Sequence, residues 1–124
     1  MQDCDICEIL KAKIEEFFVS SQVYQVEFEL KSCNKKFFYF NDIFLERIID
    51  DVFVFLIKNS MQKTKIQIEC DETAIQFIYQ TKTKKNDFSD HAKIAFEKIE
   101  KNAKICTKIE QDENQDPKRV KIVF

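Results

Sequence analysis

Hydrophobic and polar positions change their period several times along this chain, and each change predicts a new element. Apolar residues recur at helical spacing from about 4 to 21, which predicts an amphipathic helix capped at its start by Asp3 or Asp5. From 24 to 30, apolar residues alternate with polar ones, which is the pattern of a strand with one face in water. The chain is therefore expected to begin with a helix followed by a strand.

The rest of the chain continues this alternation. The elements predicted in order are a short strand at 37–40, a helix at 43–59, a hairpin of strands at 64–71 and 74–80, a helix at about 89–102, and two strands at 105–110 and 119–124. The polar residues 111–118 suit an exposed hairpin loop. This order predicts a single α+β domain over 1–124, a two-layer sandwich in which three helices cover one face of a mixed, largely antiparallel sheet.

Charge and cysteine content narrow the functional classes. The net charge is -2, so the chain lacks a strong field of one sign that would attract nucleic acid or an anionic membrane. No apolar run approaches the roughly 20 residues that cross a bilayer, and no basic signal region begins the sequence, so we expect a cytoplasmic protein. Five cysteines, an odd number without a secretory signal, are then expected to be reduced thiols.

The composition contains no glycine, whereas average usage of about 7% would give roughly nine in a chain of this length. Glycine-rich phosphate loops depend on a residue without Cβ, which lets the backbone take a positive φ and approach the phosphate oxygens. Neither a Walker loop nor a dinucleotide-binding fingerprint can be written without glycine. We therefore expect no nucleotide enzyme of the common kinds.

The predicted central helix has an unusual second half. In DIFLERIIDDVFVFLIKNS the first half is amphipathic, but the run VFVFLI is apolar on every side of a helix. Two explanations stay open. Either Phe53 and Phe55 are ordinary core residues, or apolar residues have refilled a side of the helix that belongs to an active site in related proteins.

The order of elements and the spacing within this helix resemble the ATP-binding catalytic domain of sensor histidine kinases. This is the GHKL or Bergerat fold, which is shared with gyrase and heat-shock chaperone ATPases. YQVEFELK is similar to the strand before the nucleotide helix, FLERIIDDVFVFLIKNSMQKTKIQIECDETAIQFIYQ to that helix and its hairpin, and AKIAFEKIEKNAKICTKIE and RVKIVF to the last helix and closing strands. The resemblance covers nearly the whole chain.

The resemblance implies where an ATP site would lie. In the family the central helix carries two asparagines one turn apart, the second of which binds Mg²⁺, and counting back from Lys58 places Asp51 and Phe55 at these positions. The family's adenine-binding aspartate falls near Thr81, which no glycine follows, and the lid is reduced to about 82–89. Phenylalanine offers no oxygen to Mg²⁺. The resemblance therefore implies a degenerate domain with no cofactor, metal or catalytic residue, in which Phe55 is buried against the sheet.

Other residues give weaker chemical signals. Cys4 and Cys7 have the C-x-x-C spacing of a zinc or redox pair, but no second pair completes a zinc site, so we expect no bound metal. His91, in FSDHAK, is either a phosphoacceptor or a solvated residue of a helix first turn, and the second is the usual case. The lysines at 82, 84 and 85 are typical of a solvated loop.

These signals favour a non-catalytic regulatory or adaptor module of bacterial signalling, which binds a protein partner such as a response regulator or a kinase. A homodimer is also left open. The alternative is a diverged but active ATP-dependent protein kinase of the anti-sigma or histidine-kinase type, which Mg-nucleotide binding would distinguish. A third hypothesis is a small-ligand module, whose pocket would open beside Phe55 and Thr81.

Overall fold

The computed structural model describes residues 2–33, 37–40, 42–81, 97–98, 108–112 and 118–123. The elements within them are β1 (Gln2–Asp5), α1 (Ile6–Glu16), α2 (Phe18–Val23), β2 (Val26–Cys33), β3 (Phe37–Phe40), α3 (Asp42–Asn59), β4 (Thr64–Cys70), β5 (Ala74–Tyr79), β6 (Lys108–Asp112) and β7 (Lys118–Val123). Five strands form one sheet in the order β2-β4-β5-β7-β6. Its β2–β4 pair is parallel and its other pairs are antiparallel. The predicted mixed, largely antiparallel α+β fold is confirmed.

One face of the five-stranded sheet carries the core, because alternate residues of β2, β4, β5 and β7 point toward α1 and α3. The buried cluster consists of Ile6, Leu10, Val26, Phe28, Leu45, Ile48, Ile49, Val52, Phe53, Phe55, Leu56, Ile57, Ile66, Ile68, Cys70, Ile75, Phe77, Tyr79, Val120 and Ile122. On the other face polar side chains follow β2 and β4, where Lys65 Nζ lies 3.5 Å from Glu29 Oε2. The described helices thus cover one face and leave the other open.

The predicted first helix begins two residues later than expected, with the predicted cap Asp5, and is divided near its end. Cys4 lies in strand β1, and α1 begins only after Asp5, whose side chain caps the helix by accepting the Glu8 N–H at 3.2 Å. Phe17, with φ -91° and ψ 8°, separates α1 from α2. The Ser21 hydroxyl donates to the Phe17 carbonyl at 2.8 Å, a side-chain bond that competes with regular helix geometry. Apolar spacing continues through the break, so periodicity alone misses it.

The other predicted elements that fall on described residues are present. The strand at 37–40 exists, but it pairs with β1 in a separate two-stranded sheet instead of joining the main sheet. Strand β6, described over Lys108–Asp112, overlaps the strand predicted at 105–110 and continues two residues past its predicted end, while 105–107 lie outside the described residues. Of the helix expected at 89–102, only Glu97 and Lys98 are described, and both are helical. The loop at 82–87, His91 and Cys106 lie outside the described residues.

The turns that precede the neighbouring strands β2 and β4 are formed without glycine. Gln25 (φ 59°) precedes β2 and Lys63 (φ 62°) precedes β4, and both take the left-handed conformation that glycine usually supplies. The Lys63 N–H donates to the Gln25 carbonyl at 2.6 Å, which joins the two turns. A left-handed residue with a Cβ costs about 1 to 2 kcal/mol. Each turn therefore carries a local backbone cost.

Glycine at either turn is expected to stabilise the fold. We predict that Gln25→Gly and Lys63→Gly each raise the free energy of unfolding by about 0.5 to 1 kcal/mol, because relief of the left-handed cost exceeds the extra entropy of the unfolded chain. Urea denaturation would measure this as a higher midpoint at an unchanged slope. Ser20→Gly, at an exposed position of α2, is the control and should lose about 1 kcal/mol or less. A loss of stability at both turns would contradict the prediction.

The β4–β5 hairpin is closed by the side chain of Asp71. Its Oδ1 accepts the Thr73 N–H at 2.8 Å, the Thr73 hydroxyl at 2.8 Å and the Ala74 N–H at 2.9 Å. These bonds, led by the one from the Thr73 N–H, lower the pKa of Asp71. The stabilisation from this turn is therefore present above the ordinary carboxyl pKa and is lost as the pH falls through the lowered one.

Candidate functional site

Helix α3 carries the residue that the family resemblance places at the metal-binding asparagine. Phe55 is 8% exposed and belongs to the buried cluster. Val52, Phe53 and Leu56 are fully buried around it, whereas Val54 is 39% exposed. The second half of α3 is therefore buried on most sides but not on all of them.

Phe53 packs α3 against aromatic side chains of the sheet. Its ring stacks on Phe28 of β2 at 4.3 Å, meets Phe77 of β5 edge-on at 5.9 Å, and lies 5.4 Å from Phe17. Residues two apart on a helix point about 200° apart, so Phe55 is buried on nearly the opposite side of α3. Phe55 is buried as predicted, but on the side of α3 away from the contacts that Phe53 makes with the strands.

Asp51, which the resemblance places at the family's first asparagine, is half-buried. Burial raises the pKa of Asp51, and the charge of Asp50 raises it further, while the charge of Arg47 lowers it. Asp50 points away to pair with Lys13. The adjacent carboxylates therefore do not form one shared site, as expected for neighbours about 100° apart on a helix.

Thr81 lies beside the C-terminal end of α3. It forms an isolated antiparallel bridge with Ser60, and the Met61 N–H donates to the Gln80 carbonyl at 2.7 Å. At a rise of about 1.5 Å per residue, Phe55 precedes Ser60 by roughly 7 to 8 Å along the helix axis. Two of the three positions named by the resemblance thus lie at the same end of α3, and the third, Asp51, lies one turn before Phe55.

A buried lysine holds α1 against α3. The Lys13 side chain is 8% exposed, and its Nζ lies 2.8 Å from Asp50 Oδ1, 3.1 Å from Glu16 Oε2 and 3.7 Å from Glu46 Oε1. Burial alone would lower the pKa of Lys13, but its hydrogen bonds with Asp50 and Glu16 and their charges outweigh burial and raise it. The sequence shows this lysine only as a polar position within an amphipathic pattern.

Removing this charge is expected to destabilise the fold. We predict that Lys13→Met lowers the free energy of unfolding by about 1 to 3 kcal/mol, because the carboxylates lose their buried partner. A raised pKa means that the contribution is complete below the ordinary value of 10.5 and is lost as the pH rises through the higher folded value. Denaturation at pH 7 and at increasing alkaline pH would measure both effects.

Lys11→Met is the matched control for this substitution. Lys11 is on the same helix, and its ammonium lies 3.6 Å from Glu8 in a pair whose side chains are 61% and 69% exposed. Exposed pairs of this kind contribute about 1 kcal/mol or less. Equal losses at Lys11 and Lys13 would contradict a special role for the buried lysine.

The cysteine prediction is wrong for two of the five residues. Cys7 and Cys33 form a disulfide across 26 residues of sequence, with their Cα atoms 6.0 Å apart. The pair meets because α1 packs on β2, a tertiary contact that spacing along the chain does not reveal. Cys70 is buried and packs as a small apolar residue, as predicted. Within the described ranges, no three His, Cys, Asp or Glu side chains are grouped so as to hold a metal ion.

Helix α2 exposes an apolar surface that the helical spacing of the sequence does not predict. Phe18, Val19 and Val23 are 56%, 70% and 73% exposed, although all three lie within or next to the predicted amphipathic helix. Beside them runs a groove of about 810 Å³, lined by Ile14, Phe18, Ser21, Gln22, Gln25, Val26, Glu27, Phe28, Lys63, Thr64 and Lys65. Neither Phe55 nor Thr81 lines this groove. The signal in the sequence is that apolar residues continue past the width of one helix face in FFVSSQV.

None of the helices built from described residues is long and apolar enough to span a membrane.

Comparison with known proteins gives a likeness of fold alone. No protein-family model and no curated protein matches the sequence. Among solved structures, the cytoplasmic segment of histidine kinase QseC superposes with a TM-score of 0.73 at 10% identity, covering 98% of this chain and 76% of that one. Histidine kinase AdeS of Acinetobacter baumannii gives 0.64 at 14% identity, covering 98% and 66%, so this chain spans slightly less than two thirds of that structure. The chain therefore has a histidine-kinase-type fold.

Proposed function

We propose that this chain is a non-catalytic regulatory or adaptor module of bacterial signalling. It binds a protein partner through a histidine-kinase-like ATPase fold that has lost ATP binding. The partner we propose is a protein of two-component signalling, either a response regulator or a kinase. The competing function is a diverged but active ATP-dependent protein kinase of the anti-sigma or histidine-kinase type.

The observation that carries the proposal is the buried ring of Phe55. The resemblance puts a metal-binding asparagine at this position, and a phenyl ring with 8% exposure supplies no ligand to Mg²⁺. Thr81 stands near the place of the adenine-binding aspartate, and the chain has no glycine with which to form the phosphate-covering loops. Each change removes a different part of the nucleotide site.

The exposed apolar side chains of α2 support a protein as the partner. Phe18, Val19 and Val23 lie together on a helix of only six residues, which has no charged residue to solvate it. Contiguous apolar surface of this kind commonly marks a protein-interaction site. The neighbouring groove extends the surface on which a partner would rest.

Titration calorimetry with Mg-ATP and Mg-ADP tests the proposal against its competitor. The expected result is no saturable heat at physiological nucleotide concentration, measured beside an ordinary histidine-kinase catalytic domain that does bind. Phosphotransfer from labelled ATP to the chain or to an added response regulator is expected to be absent in the same samples. Nucleotide binding together with phosphotransfer would establish the kinase in place of the adaptor.

A further inference from the structure

Three cysteines meet at one end of the fold. Cys7, the second residue of α1, is bonded to Cys33, the last residue of β2. Cys70 ends β4 and is the register partner of Cys33, so their backbones lie about one strand spacing of 4.8 Å apart. Cys4, the first cysteine of the C-x-x-C motif, is on β1 directly before α1. The disulfide thus has a further cysteine, Cys70, beside its Cys33 end.

The bond lies outside the fully buried part of the core, and other contacts hold the elements that it joins. Cys7 and Cys33 are both half-buried, so neither residue is enclosed in the core. Helix α1 is anchored independently by Ile6 and Leu10, which are completely buried, and by the ion pairs of Lys13 with α3. Strand β2 is held by its ladder to β4. Opening the disulfide therefore leaves the core contacts in place.

The disulfide joins the chain just after β1 to the chain just before β3, the two strands of the small sheet. Strand β1 runs into α1 without a connecting residue, and β3 is the next strand after β2. Strands β1 and β3 pair with each other outside the five-stranded sheet. The last part of β2 follows a bulge between Leu30 and Ser32, and Lys31 and Ser32 are exposed. The disulfide thus ties together the two chain segments that carry the small sheet.

We propose that Cys7 and Cys33 are a reversible redox site, opened by a dithiol reductant and closed by the corresponding disulfide, which sets how firmly the β1–β3 sheet is held. A thiolate of the reductant attacks the Cys33 sulfur, and the Cys7 sulfur leaves as a thiolate at the first turn of α1. Backbone N–H groups favour negative charge there, while the Asp5 and Glu8 carboxylates oppose it.

The exchange is balanced in two steps. The second thiolate of the reductant attacks the reductant's own sulfur in the mixed disulfide and releases the Cys33 thiolate. Two electrons and two protons pass to the protein, and the reductant leaves as a disulfide. The reverse exchange restores the Cys7–Cys33 bond. This inference does not rest on the proposed function, because it concerns a bond within the chain and requires no partner.

The full chain with all five cysteines is the sample for the test. It would be equilibrated with dithiothreitol, or with glutathione at graded ratios of reduced to oxidised form, and then alkylated and mapped by mass spectrometry. We expect the Cys7–Cys33 bond to open and re-form reversibly across the glutathione series. Amide hydrogen exchange in β1 and β3 should become about tenfold faster or more in the reduced protein, while α3 and β4 stay unchanged.

Variants separate a redox site from a purely structural bond. Cys7→Ser and Cys33→Ser should show the fast exchange of the reduced protein with or without dithiothreitol, and Cys70→Ala should keep the full response. Three results obtained with the unmodified chain would overturn the proposal, so the test does not depend on whether the serine variants fold. The first is a Cys7–Cys33 bond that stays closed in excess reduced glutathione, and the second is a different cysteine pairing in the oxidised protein. The third is a reduction that speeds amide hydrogen exchange throughout α3.

Discussion

Replacing Phe55 by alanine is expected to lower the free energy of unfolding by about 3 to 5 kcal/mol, the usual range for truncating a buried phenylalanine. The ring is 8% exposed and belongs to the main core together with the fully buried Val52 and Leu56, so its removal loses apolar burial and leaves a cavity in that core. Urea denaturation followed by circular dichroism would measure the loss as a lower midpoint at constant slope.

Val54→Ala is the matched control for this substitution. Val54 is the preceding residue of the same helix and is 39% exposed, so its truncation should cost about 1 kcal/mol or less. The comparison separates burial at position 55 from a general effect on helix propensity. A Phe55→Ala loss no larger than that of Val54→Ala would mean that the ring is not part of the core in solution.

Phe55→Asn extends the same experiment to the site. It introduces the residue type that the resemblance implies for a magnesium-binding helix, but at a position enclosed by apolar side chains. Burying an amide without a partner costs about 1 to 3 kcal/mol in addition to the lost packing. We therefore expect this variant to be less stable than Phe55→Ala and not to gain affinity for Mg-ATP.

The longer elements could be predicted because each packs one face against the core along its length, and this packing is visible in the sequence as a repeated apolar pattern. Helix α3 and the β4–β5 hairpin have long runs with one period, and the structure places them within one or two residues of the predicted ends. Strand β1, QDCD, has no apolar alternation, and its pairing with β3 is a long-range contact. Such a short strand is determined by its partner, which local sequence does not specify.

The contacts that hold α1 in place could not be predicted from the sequence for a similar reason. The Cys7–Cys33 bond and the Lys13–Asp50 ion pair both join residues that are far apart in the chain. Each depends on how α1 packs on its neighbours, and a cysteine count or a charge pattern contains no such distance. The candidate nucleotide positions Asp51, Phe55 and Thr81 were obtained in another way, by resemblance to a family and not from the pattern of the sequence. The likeness to histidine kinases supports the fold on which that assignment depends. Whether these positions still bind nucleotide is tested by titration with Mg-ATP and Mg-ADP.

That experiment is expected to show no useful binding of Mg-ATP or Mg-ADP. In the family, affinity comes from the adenine aspartate, the metal-binding asparagine and the glycine loops around the phosphates. If loss of the aspartate and of the metal ligand each forfeits only the roughly 1.5 to 3 kcal/mol of a charge-assisted bond, affinity falls by about two to four orders of magnitude. A family site of micromolar affinity would then weaken to a dissociation constant of roughly 0.1 to 10 mM, and the loss of the glycine loops would weaken it further.

Thermal shift in millimolar Mg-ATP gives an independent reading of the same equilibrium, because a ligand that binds only the folded chain raises its melting temperature by mass action. We expect no shift with ATP or ADP, with or without Mg²⁺, under conditions in which the ordinary kinase domain is stabilised. Saturable binding at about 100 μM or tighter, corresponding to roughly 5 to 6 kcal/mol, would refute the adaptor proposal if Thr81→Ala or Asp51→Ala abolished it. Binding that survived both substitutions would place the nucleotide at another surface of the chain and leave the lost site as proposed.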